Sequence, residues 1–122
     1  MRYRLLFALL LVAGCQAASD KEQLRQWYDQ NNEQYFLGML PKDTVIDYSL
    51  HGDEFMGATT KIEGKFHISL NRKYNLAVNV AKVTLYHEEC HVSTWGEIEQ
   101  HGLRWKSCMH RIENEGAFEG LL

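Results

Sequence analysis

The apolar positions change their spacing twice along the chain, and each change marks a new kind of expected element. Between Asp20 and Leu37, Leu24, Trp27, Tyr28 and Tyr35 share one face of a 3.6-residue period. Ser19 followed by Glu22 matches a capping box, so a helix is predicted from about Asp20 to Leu37, with Gly38 and Pro41 ending it. From Thr44 to Asn71 the period drops to two. Ile46, Tyr48 and Leu50 alternate with polar neighbours; His51-Gly52-Asp53 is turn chemistry; Phe55 to Ile62 forms a second run; Glu63-Gly64 turns again; and Phe66, Ile68 and Leu70 alternate with His67 and Ser69. A three-stranded meander or a variant of it is predicted. The glycine in "GATT" at 57–60 predicts a bulge or a close backbone approach.

Helical spacing returns after Asn75, a predicted N-cap for a helix from Leu76 to about Thr94, with Gly96 as the stop. Leu76, Ala77, Val78, Val80, Ala81, Val83 and Leu85 make it apolar nearly all round, which predicts a central helix. Lys82 and Glu89 form its narrow polar stripe. A last helix is predicted over Leu103 to Ile112, burying Trp105, Cys108, Met109 and Ile112, followed by a tail that packs Phe118 and Leu121 back on the domain. The fold class is therefore α+β: an N-terminal helix, a small three-stranded sheet, a central helix and a C-terminal helix.

Ahead of these elements lies a different composition. Arg2 and Arg4 precede the apolar run Leu5–Ala13, which is too short to span a bilayer, and "VAGC" at 12–15 resembles a lipobox. Residues 1–14 are expected to be a lipoprotein signal peptide, 15–18 a lipidated linker beginning at Cys15, and 19–122 one domain. The mature protein would then be exported and held at a bacterial membrane by its lipid. Gln16 after the cysteine points, by analogy with Gram-negative lipoproteins, to the outer membrane facing the periplasm. Without the signal, 11 Lys and Arg stand against 16 Asp and Glu, a net charge of −5, and the basic residues never cluster beyond Arg72-Lys73. Such a surface does not attract phosphate backbones, so no nucleic-acid partner is expected. In an oxidising compartment Cys90 and Cys108 either pair or remain two small buried apolar residues.

Candidate chemistry centres on "HEECH" at 87–91. On a helix, His87 and His91 are separated by about 40° and about 6 Å, so both imidazoles can meet one metal ion. Glu88 lies about 60° from His91, placed to reach a water on that ion and angled away from being a ligand itself. A catalytic zinc takes a third protein ligand and keeps one position for water; His101, His110, Glu97, Glu99 and Glu113 are the downstream candidates. Glu88 would take a proton from the zinc-bound water during attack on a carbonyl and deliver it to the leaving amine. Tyr86 and His110 are weaker candidates for assisting the oxyanion, since each also fits a structural role. His51 and His67 read as surface side chains. Strand 65–70, if it is the sheet edge beside the cleft, offers main-chain hydrogen bonds to an extended peptide.

The runs "TLYHEECHVSTW" and "EQHGLRWKSCMHRI", preceded by "GATT" and "GKFHISLN", resemble the SprT-like metalloprotease family over roughly residues 24–112. The family's pattern is H-E-x-x-H followed by His-Gly ahead of an aromatic. The resemblance implies a zincin-like fold, one Zn²⁺ held by His87, His91 and His101, Glu88 as the catalytic acid/base, and a protein or peptide substrate. The sequence shows no zinc ribbon and no Spartan-type DNA-binding segment, so the implied role stops short of DNA–protein crosslink repair. The expected activity is that of a small membrane-anchored zinc endopeptidase, and the alternative is a non-catalytic zinc-binding lipoprotein that buffers metal or binds a partner.

Overall fold

The computed structural model describes residues 19–122. The expectations for the signal peptide and for lipidation of Cys15 fall outside them. Helix α1 spans Asp20–Tyr35, strands β1, β2 and β3 span Val45–Leu50, Gly57–Ile62 and Lys65–Asn71, and helices α2 and α3 span Val78–Ser93 and Leu103–Asn114. The architecture is α+β, as the alternation of periods predicted. Ser19 caps the first helix as predicted, its Oγ accepting from the Glu22 amide at 3.2 Å. The first helix stops two residues short of Leu37 because Leu37 and Gly38 take positive φ, +54° and +71°. Asn32 then clamps the exit, donating to the Leu40 carbonyl at 3.1 Å and accepting from its amide at 2.8 Å.

The sheet is not a meander. Its order is β1-β3-β2, with β1 parallel to the central β3 and β2 antiparallel to it. Glu63 and Gly64, both at positive φ, make the tight two-residue turn between β2 and β3. The connection from β1 instead crosses the end of β3. Asn71, the last residue of β3, holds it there by donating to the Gly52 and Phe55 carbonyls at 2.8 and 3.1 Å. Strand 65–70 is accordingly the centre of the sheet, and the edge that borders the site is β2. The β2–β3 register runs unbroken from Gly57 to Ile62, so the glycine of "GATT" marks a close approach and no bulge.

Ile46, Phe66, Ile68 and Leu70 are buried on one face of the sheet, where Leu24 and Tyr28 of α1 and Ala81 and Leu85 of α2 complete the core. On the other face His67 bonds Asp47 at 2.9 Å beside Ser49 and Ser69, so His67 is tied into a half-buried polar cluster. Phe118 and Leu121 pack back on the core as expected, Phe118 meeting Tyr86 edge-on at 5.5 Å.

Two expectations for α2 fail. Asn75 does not cap it: the N-cap is Ala77, without a side-chain bond, and Asn75 lies buried, donating to the Met56 and Asn71 carbonyls at 2.9 and 2.6 Å. Nor is the helix buried throughout, since Val78 and Val80 are 56% and 37% exposed, as is Leu76 just before it at 81%. Its C-terminal half carries the burial, and Glu89 belongs to it. Far from forming a surface stripe, Glu89 is fully buried, and both its oxygens accept from Asn31 Nδ2, at 3.0 and 3.1 Å. Burial pushes its pKa well up, opposed by the Asn31 bond.

Cys90 and Cys108 form a disulfide joining α2 to α3 across 18 residues of sequence. A loop of that length is worth roughly 3 kcal/mol by its effect on the unfolded chain. A Cys90→Ala/Cys108→Ala variant should lose about that much in urea unfolding under non-reducing conditions, and a loss below about 1 kcal/mol would show the two helices held together by other contacts. Glu89 generates a pH prediction. Above its ordinary value of 4.5 the unfolded chain releases this proton while the folded one retains it, so each pH unit costs the folded state about 1.4 kcal/mol until the native carboxyl also ionises. Measured by urea midpoints, the stability of Glu89→Gln relative to the parent should therefore rise with pH from about 4.5 upward; a constant difference would contradict it.

Candidate metal centre

Helix α2 delivers His87 and His91 from successive turns, and the segment before α3 brings His101 back over them. Their Nε2 atoms form a nearly equilateral triangle: 3.1 Å between His87 and His91, 3.2 Å between His91 and His101, and 3.1 Å between His101 and His87. Among the described residues this is the group of histidine, cysteine and carboxylate side chains gathered closely enough to share an ion. Three imidazole nitrogens aimed at one point cannot satisfy each other, because a ring N–H donates to one neighbour and leaves lone pairs facing. A cation at nitrogen bond lengths of about 2.0–2.1 Å fits over such a triangle, with its far side open.

Electrostatics favour the neutral ligand form. Burial lowers the His87 pKa to about 4, helped by the neighbouring His91 and His101, and burial with His101 also lowers that of His91. Trp105 supports all three rings. Its indole stacks on His91 at 5.5 Å between centroids, meets His87 and His101 edge-on at 4.7 and 4.5 Å, and donates from Nε1 to the His87 carbonyl at 3.2 Å. Reading Trp105 only as part of a buried stripe misses this role.

The other candidate ligands do different work. Glu97 caps α3, its carboxylate accepting from the Arg104 and Trp105 amides at 2.6 and 3.1 Å. Gly102 makes room for it: a Cβ there would lie 2.8 Å from Glu97 Cδ. Glu99 reaches the cleft wall, whereas His110 is exposed beside Glu113, 4.0 Å away, on the outside of α3. Tyr86 packs against Tyr35 and Phe118 in the core and faces away from the cleft.

Glu88 is 4% exposed and lines the same cleft, a hollow of about 620 Å³ bounded by β2, α2 and residues 94–101. Its Oε1 lies 4.0 Å from His87 Nε2, and its Oε2 accepts from Thr59 Oγ1 at 2.7 Å. Burial raises its pKa to about 7, moderated by the Thr59 bond. Thr59 went unnoticed in the sequence because no pattern along the chain joins residue 59 to residue 88. Phe55, Trp95 and Ile98 give the cleft apolar walls. The arrangement can hold a cation with an open side and keep a proton acceptor next to it.

Comparison with curated proteins and with solved structures gives no match. One family model does match, over residues 24–120, a span that includes the whole sheet, α2, α3 and all three converging histidines. On that match the chain belongs to the SprT-like family and carries a metalloprotease-like domain.

Proposed function

We propose that this domain is a zinc-dependent endopeptidase in which His87, His91 and His101 hold the metal and Glu88 moves the proton. The observation that carries the reading is the pairing of the Nε2 triangle with a buried carboxylate whose free oxygen stands 4.0 Å from one of its corners. Neutral nitrogen ligands and an open side suit a catalytic zinc in preference to a closed structural one. When bound there, zinc would supply Lewis acidity, acidifying water and polarising a substrate carbonyl.

The chain's own residues do the rest. Glu88 Oε1 takes the proton of the attacking water, and the same carboxyl delivers it to the amine that leaves. Phe55, Trp95 and Ile98 offer apolar contacts to side chains flanking the scissile bond. The outer edge of β2, paired only with β3 in the described sheet, supplies main-chain donors and acceptors to an extended substrate segment. An unfolded or locally extended protein therefore suits the cleft better than a folded surface.

Export and anchoring through Cys15 form part of the same proposal. Their support is the lipobox-like sequence together with the Cys90–Cys108 bond, which is of the kind that persists in oxidising compartments.

Glu88→Gln should retain one zinc per chain and lose at least about a hundredfold in hydrolysis of unfolded casein. A variant as active as the parent would exclude the mechanism. His87→Ala/His91→Ala should abolish stoichiometric zinc in the purified protein, as measured by metal analysis; retained zinc would place the metal elsewhere.

A further inference from the structure

Gly57, Thr59 and Lys61 share the face that β2 turns towards α2, and the first two lie against the proton-carrying carboxylate. At Gly57 a Cβ would stand 3.0 Å from Glu88 Oε1, 3.2 Å from Glu88 Cγ and 2.9 Å from Thr84 Cγ2, so the strand can lie this close to the helix only because residue 57 has no side chain. Two positions on, Thr59 donates its hydroxyl to Glu88 Oε2 at 2.7 Å, with the Glu88 carbonyl a more distant second acceptor at 3.4 Å. One residue withdraws volume and the next on that face supplies a donor.

The result is an asymmetric carboxylate. Oε2 is occupied by a short bond to a partly buried hydroxyl, and Oε1 is left facing the histidine triangle. Without the Thr59 bond the carboxylate would be free to turn about its last side-chain torsion, which is broad and shallow for a glutamate. Each turn away would take the acceptor oxygen from the reacting water, and misplacement of about 1 Å can cost on the order of a hundredfold in rate.

We propose that Thr59 is a positioning residue for the hydrolytic reaction: by binding Oε2 it fixes Glu88 with Oε1 towards the metal centre, and Gly57 provides the clearance that lets it do so. This rests on the peptidase reading above. It adds that the strand offering its outer edge to substrate also orients the group that moves the proton, so both are registered on one element.

The test has two arms. In metal-free protein, Thr59→Val should lower the melting temperature by several degrees when Glu88 is present and by less than about 1 °C in a Glu88→Ala background. Additive shifts would show that the two side chains do not interact and would overturn the proposal whatever the enzyme does. In zinc-loaded protein, Thr59→Val should reduce kcat for casein-derived peptide about ten- to a hundredfold, with KM within about twofold and zinc content unchanged, and Thr59→Ser should recover most of the rate. A kcat equal to the parent's in Thr59→Val, or equal losses in the Val and Ser variants, would overturn it. Absence of Glu88-dependent hydrolysis in the parent would instead sink the peptidase reading, an outcome distinct from additive melting shifts in the first arm.

Discussion

Two carboxyl groups on consecutive residues of one helix are buried in this domain, and each needs a partner that the helix itself cannot provide. Glu89 points into the core and is met by Asn31 of α1; Glu88 points to the cleft and is met by Thr59 of β2. Leaving either unpaired in a medium of low polarity would cost several kcal/mol. The docking of the N-terminal helix and of the edge strand on α2 is thus tied to particular polar contacts as well as to the apolar core. The same contacts keep the two acids different in use, one sealed with its oxygens shared on a single amide and the other with one oxygen turned to the histidines.

The third histidine depends on a second set of constraints. His101 lies between α2 and α3, in a segment closed by the Cys90–Cys108 bond, capped at the start of α3 by Glu97, and backed by Trp105. Each of these acts on a different part of the segment. The disulfide fixes how far the helices can separate, the cap fixes where α3 begins, and the indole fills the space beneath all three rings. His-Gly as a dipeptide follows from this packing, since any Cβ at Gly102 would collide with the capping carboxylate.

Where the local pattern misled, a distant side chain had intervened. Alternating residues with turn signals between them suggested a meander, yet β1 lies beside β3 because Asn71 carries the 51–56 connection across the end of that strand. Asn75 has the composition of a helix cap and sits one residue after a short 3-10 turn, but its amide is spent on the Met56 and Asn71 carbonyls. Glu89 looked like a solvent stripe because a helical wheel reports angle and not what packs at that angle. The exposed start of α2, with Val78 and Val80 towards solvent and Leu76 exposed just ahead of it, is the reverse case: the sequence is apolar there, and no element covers it among the described residues.

The amino-acid order by itself determined the helices and strands, the α+β class, and the presence of His87, Glu88 and His91 on one helix, because spacing along a regular backbone sets which side chains share a face. It also identified His101 through its likeness to a family pattern, and left Cys90 and Cys108 as two cysteines with two readings. Tertiary structure alone decided the strand order, the bond between those cysteines, the burial of Glu89 against Asn31, and the contact of Thr59 and Gly57 with Glu88. These pairs are separated by 18 to 58 residues, and periodicity carries no information about which distant residues meet. That is fixed only when the apolar faces close on one another and each polar group trapped between them finds its partner.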